Sequence, residues 1–102
     1  MPSDPRLTHQ TLKVLRAFME KPNTGLAGSD IWKETRMFSG TLYPILLRLE
    51  KAGWLKSWWE EVDPKEAGRP RKRLYQLTNV GHPKAQAAFR ELEFTPGVPS
   101  WA

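Results

Sequence analysis

One amphipathic stretch, Ser39-Gly40-Thr41-Leu42-Tyr43-Pro44-Ile45-Leu46-Leu47-Arg48-Leu49-Glu50-Lys51-Ala52-Gly53, limits what this chain can fold into. At about 100° per residue, Leu42, Ile45, Leu46, Leu49 and Ala52 fall on one arc, and Thr41, Pro44, Leu47, Arg48 and Lys51 on the opposite one. The first arc is a core-facing stripe. The second needs a polar partner, and Ser, Thr, Tyr, Arg and Lys are the side chains of a helix laid in a DNA groove. A helix is expected over 39–52, capped by Ser39 and ended by Gly53. Pro44 lacks the N–H that a regular helix bonds to the Gly40 carbonyl, so an irregular first turn is expected.

The residues ahead of this helix supply its scaffold. Thr8 is placed to cap a first helix running to about Lys21, where Pro22, Asn23 and Gly25 stop it. Its apolar set, Leu12, Val14, Leu15, Phe18 and Met19, spans roughly 160°, wider than one face packed on a small core needs. The surplus is covered either by the chain's own last helix or by a second copy. Gly25-Leu26-Ala27-Gly28 is too short for a helix and suits a β-bridge; Ser29 or Asp30 then caps a short helix, Ile31 to about Met37, anchored by Ile31 and Trp32. Met37-Phe38-Ser39-Gly40 is the turn into the amphipathic stretch. Two helices joined by a tight Gly-containing turn, the second polar outward, form a helix-turn-helix.

After Gly53, Trp54–Val62 alternates as a strand with Leu55, Ser57 and Trp59 on one face, and Leu55 and Trp59 are the expected core-facing pair. Asp63–Pro70 is turn-rich, and Arg71–Leu77 is a second strand, giving a hairpin with a long tip. Thr78 is expected to cap a last helix. Gly81 and Pro83 predict a broken first turn, with the regular part from Pro83 to about Glu93 and an apolar stripe of Ala85, Ala88, Phe89 and Leu92. Residues 1–6 read as a loose terminus, with Arg6 as an alternative mobile phosphate contact. Pro96, Gly97 and Pro99 make 94–102 a non-helical tail, with Trp101 loose or packed. The fold class is mainly α (α+β): a winged helix-turn-helix with a three-helix core, a two-stranded β-hairpin wing and a C-terminal helix. It forms a single domain over 1–102 with an ordered core at 7–93.

Charge sharpens the choice of partner. Lys and Arg number 16 against 11 Asp and Glu, a net +5, which favours nucleic acid first and an anionic membrane second. The longest apolar run falls far short of the roughly 18–20 residues a bilayer span needs, and polar residues break up the N-terminus where a signal peptide would be apolar, so a cytoplasmic protein is expected. Four of the five residues Arg69-Pro70-Arg71-Lys72-Arg73 are cationic and lie in the wing, 63–73, within reach of backbone or minor groove. Glu60, Glu61, Asp63 and Glu66 sit at the other wing edge, so a one-sided contact is expected.

Together, Ser39-Gly40-Thr41-Leu42-Tyr43-Pro44, Arg48-Leu49-Glu50, Gly53, Trp59-Glu60, the Gly68-Arg69-Pro70-Arg71-Lys72 run and Tyr75-Gln76-Leu77-Thr78 resemble the PadR family of bacterial transcriptional regulators over roughly residues 8–92. The resemblance implies a homodimeric repressor binding double-stranded DNA, often released by a small aromatic effector. It places Ser39, Thr41, Tyr43, Pro44 and Arg48 on the groove-reading helix, and Arg69, Arg71, Lys72 and Arg73 on the wing; Lys51, on the outward arc by spacing, is a further expected DNA contact. Family members continue into a long C-terminal helix, whereas His82-Pro83 interrupts it here and Pro96 ends it early. A dimer would use the wide face of the first helix, Val14 and Phe18, with Phe89 and Leu92. Trp58, Trp59 and Trp101 are candidates for an aromatic pocket or for ordinary packing.

Enzyme readings find little support. With no cysteine and only His9 and His82, in different elements, no catalytic set, metal site or cofactor is expected. No Gly-rich phosphate loop follows a strand. The other class is a winged helix that binds protein, anchored by Tyr43, Leu47 and Trp58.

Overall fold

A computed structural model describes residues 4–93, with nothing described of the Glu93 side chain. Its elements run α1 (His9–Glu20), β1 (Leu26–Ala27), α2 (Gly28–Thr35), α3 (Ser39–Lys51), β2 (Leu55–Trp59), α4 (Pro64–Ala67), β3 (Arg73–Leu77) and α5 (Gly81–Glu93). The antiparallel sheet has the order β1-β3-β2, with Leu26 opposite Tyr75 and Ser57 opposite Tyr75 on the other side. The winged helix-turn-helix expected from the sequence is thus present, with β1 lengthening the hairpin into three strands. The tail at 94–102, Trp101 included, lies outside the described residues.

Thr8 caps α1, its hydroxyl accepting from Thr11 N at 3.2 Å. The broad apolar face is consumed within the chain, because α1 packs on α2, α3, α5 and β3. Val14 and Phe18 are 0% and 1% exposed, so they hold this chain's own core together and offer no dimer surface. Burying a side chain of that size contributes about 1.5–3 kcal/mol, and Leu15, Ile31, Leu42, Leu46 and Leu49 join them.

α2 begins earlier than the sequence suggested. Ala27 occupies the cap position, and Asp30 reaches back from the first turn to accept from Ala27 N at 2.9 Å. Ile31 is buried as expected, but Trp32 lies exposed under the Arg36 guanidinium, 4.7 Å from the ring centre, and so does not anchor the core. Arg36 ends the helix in the left-handed region at φ 59°.

Phe38, not Ser39, is the N-cap of α3, and the helix passes through Pro44 without interruption. The Gly40 position is exposed, so its carbonyl can turn to water in place of the bond Pro44 cannot make. Gly53 (φ +81°) reverses the chain, with its N–H on Glu50 O and the Trp54 N–H on Leu49 O.

The strand parity holds for Leu55 but not at its far end. Trp54, in the turn before β2, is 2% exposed, while Trp59, the last residue of β2, is 59% exposed. Trp58, on the other face, covers Gly25: a Cβ there would lie 2.7 Å from the indole Cζ2. Trp59→Ala is therefore expected to cost less than about 1 kcal/mol in a urea melt, a surface-sized loss. A cost typical of a core Trp would contradict the exposed ring.

The turn-rich segment contains α4, capped by Asp63 and closed by Gly68 in the left-handed region. α5 starts at Gly81 with no break, since the Thr78 hydroxyl accepts from Gly81 N at 2.9 Å and Pro83 sits in the first turn, where its missing N–H costs nothing. Within the terminus expected to be loose, Asp4 is held, accepting from Lys84 Nζ at 2.6 Å and from Trp54 Nε1 at 3.4 Å, while residues 1–3 lie outside the described residues. The lysine holds the Asp4 carboxyl below its usual range.

Candidate nucleic-acid interface

Burying Leu42, Ile45, Leu46 and Leu49 turns the opposite side of α3 to solvent. Ser39, Tyr43, Pro44, Leu47, Arg48 and Lys51 are exposed there, and Thr41 is half-buried. Arg48 and Lys51 enter no ion pair among the described residues, leaving their charges available to an external anion. The Tyr43 ring lies across the start of α2, where a Cβ on Gly28 would fall 3.0 Å from Tyr43 Cζ and closer still to the hydroxyl. Gly28 therefore keeps open the place Tyr43 occupies. Phe38, at the leading end of α3, is 75% exposed. Sequence reasoning put it in a turn and gave it no role; an aromatic residue directly before Ser39 was the available signal.

The wing cations are held differently. Arg69 grips Glu60 with two hydrogen bonds, Nη1 to Oε1 at 2.7 Å and Nη2 to Oε2 at 3.1 Å. Lys72 N also donates to Glu60 Oε1 at 3.3 Å, and Glu60 N donates to Lys72 O at 2.9 Å. Arg69 draws the Glu60 carboxyl below its usual range, and Glu60 in turn pushes the guanidinium up. Arg71 Nε donates to Val62 O at 2.9 Å. Arg73 donates from Nη2 and Nε to Ser57 Oγ, at 2.9 and 3.2 Å, and lies 5.1 Å from the Trp59 ring centre. The expected separation of acidic and basic wing edges is thus not what the fold builds. Glu60 sits among the cations.

Ser57 adds a link that the sequence did not suggest. Its hydroxyl donates to Glu50 Oε2 while accepting from Arg73, so the end of α3 is tied to both long strands through one oxygen. Beside it, burial raises the Tyr75 phenol above its ordinary range, reinforced by the Glu50 charge. Trp58 and Trp59 point to opposite faces of β2 and do not line a common pocket; Trp59, Pro64, Pro70 and Arg71 instead border an open groove on the wing. Among the described residues no group of His, Asp and Glu could hold a metal ion, and no helix is long and apolar enough to cross a membrane.

The family profile described as the transcriptional regulator PadR-like family matches residues 14–87, most of the chain and nearly all of the elements above. The chain belongs to the PadR-like family. That family comprises transcriptional regulators, not enzymes. No curated protein matches this PadR-like chain. Among solved structures it is similar to disulfide-formed AbfR, a protein of Staphylococcus epidermidis, with TM-score 0.71 and 26% identity over 88% of this chain and 61% of that one. Reduced AbfR bound to DNA gives TM-score 0.70 and 25% identity over 89% and 59%. A PadR family regulator from Clostridium difficile R20291 gives TM-score 0.66 and 27% identity over 81% and 88%. The chain spans about three fifths of the AbfR chains.

Proposed function

We propose that this PadR-like chain is a sequence-specific double-stranded DNA-binding repressor of the bacterial cytoplasm, reading the major groove with α3 and touching the backbone or minor groove with its wing. The reading rests on the outward row of α3, where Arg48 and Lys51 stand without internal partners beside Ser39, Thr41, Tyr43 and Pro44. Reduced AbfR, of similar fold, is known bound to DNA, which supports DNA as the partner of this chain. Arg71 and Lys72 are the wing groups best placed to add backbone contacts, since Arg71 is exposed and the Lys72 side chain makes no ion pair among the described residues.

A homodimer is part of the proposal, with half-buried Phe89 and Leu92 on α5 as its contact in place of Val14 and Phe18. Two copies of α3 would then enter successive major grooves about 34–36 Å apart. Selecting bound DNA from a random duplex pool tests both claims. An inverted repeat with half-sites about one helical turn apart is the expected product. An asymmetric single site removes the dimer, and no enrichment removes sequence-specific reading.

The second reading, a protein-binding winged helix, draws on Leu47, 51% exposed, and on exposed Phe38 at the leading end of the same helix. It requires that Leu47→Ala abolish a protein interaction while Arg48→Ala leaves it intact. Trp58 is no longer among its anchors, because that ring covers Gly25.

A further inference from the structure

Within the wing, one acidic side chain is built into the cationic run. Glu60 takes both oxygens to the Arg69 guanidinium and is itself steadied by the Lys72 backbone N–H, so the carboxylate is already oriented when the arginine meets it. Bidentate, end-on pairing of this kind has the geometry that makes a surface ion pair count, and it uses the donor fork that would otherwise clasp a phosphate. Glu61, next along the same edge, is exposed and makes no ion pair among the described residues.

We propose that Glu60 is a specificity-determining residue: by occupying Arg69 it withholds one phosphate contact from the wing and keeps binding to unrelated DNA weak. The inference rests on the DNA-binding reading above. Its physical basis is that phosphate contacts add affinity for every sequence alike, whereas base contacts by α3 add it for one. A wing with all of its arginines free would raise the background against which Arg48 and its neighbours must discriminate. Glu60 lowers that background without touching DNA.

The test is a salt titration of binding to random duplex by the unaltered chain, Glu60→Gln, Glu61→Gln, Arg69→Ala and the Glu60→Gln/Arg69→Ala pair. Freed Arg69 adds about 0.9 to the magnitude of the slope of log K against log salt. Glu60→Gln is therefore expected to steepen the slope by that amount and to tighten random-duplex binding several-fold, more than Glu61→Gln, which removes equal charge. Arg69→Ala alone is expected to leave the slope unchanged, and in the double variant the gain should vanish.

A gain that persists without Arg69, or that Glu61→Gln reproduces in full, shows simple charge repulsion and overturns the proposal. A shallower slope for Arg69→Ala alone also overturns it, because Arg69 would then already be on phosphate. If the unaltered chain binds no duplex at low salt, the DNA-binding reading falls as well. If it binds and only the Glu60 variants fail, that reading stands.

Discussion

Gly81→Ala is expected to lower stability by about 3 kcal/mol, the upper part of the range for forcing extra atoms into a packed interior. A Cβ at position 81 would lie 2.7 Å from both Cα and the carbonyl carbon of Trp54, and nearer still to its oxygen. The obstacle is backbone, which cannot swing aside as a side-chain tip can. That backbone is also fixed from the other side, since Trp54 O accepts from Thr78 N at 2.9 Å and Gly53 O from the Thr78 hydroxyl at 2.6 Å. Relief requires α5 to move off the α3–β2 turn. For a domain of this size each kcal/mol shifts Tm by roughly 4–8 °C, so a fall of about 12–24 °C in a thermal melt is the outcome to look for. A change of a degree or two would mean that α5 does not approach Trp54 this closely.

Arg48→Ala is expected to weaken binding to the selected site by roughly 5- to 150-fold, the cost of about 1–3 kcal/mol for a lost base contact, while random duplex binding changes far less. Arg48 projects from the exposed side of α3, one turn after Pro44, with no carboxylate of the chain holding it. Repeating the selection with the variant should show relaxed preference at a base in each half-site. Equal losses on both kinds of DNA would assign Arg48 to phosphate and move the base-reading role to Thr41 or Tyr43.

The division of α3 into two faces was readable because helical spacing is a local property, and Leu42, Ile45, Leu46 and Leu49 are buried as that spacing requires. The caps were half readable. Thr8 and Thr78 act as expected, whereas Ser39 yields to Phe38 and Asp30 works from inside its helix. What escaped the sequence depended on distance in the fold. Strand alternation separated Leu55 from Trp54 but could not say where the core ends, so Trp59 was placed inside it.

Propensity marked Gly81 and Pro83 as helix breakers, yet the glycine is needed for close approach to Trp54 and the proline sits where its missing N–H is harmless. Likewise, the run Arg69–Arg73 displayed its charge but not its partners. Glu60 and Ser57 reach it only across the hairpin, and Asp4 meets Lys84 from the far end of the chain. On α3, the placing of Pro44, Leu47, Arg48 and Lys51 on the solvent side followed from spacing, while Ser39 and Tyr43 came with the family resemblance; their use on DNA is the proposal that the selection experiment decides.

The bridge through Ser57 has a consequence for the duplex itself. One hydroxyl joins Glu50 of α3 to Arg73 of the wing, and Trp59 closes over the same arginine. Helix and wing are thereby joined through side chains as well as backbone, like two jaws sharing one pin. On the proposed DNA-binding reading, a duplex whose grooves do not match their spacing would have to bend or change groove width to be read, at an energy that depends on its sequence. Base steps that no side chain touches would then help decide where the protein sits, through their stiffness alone.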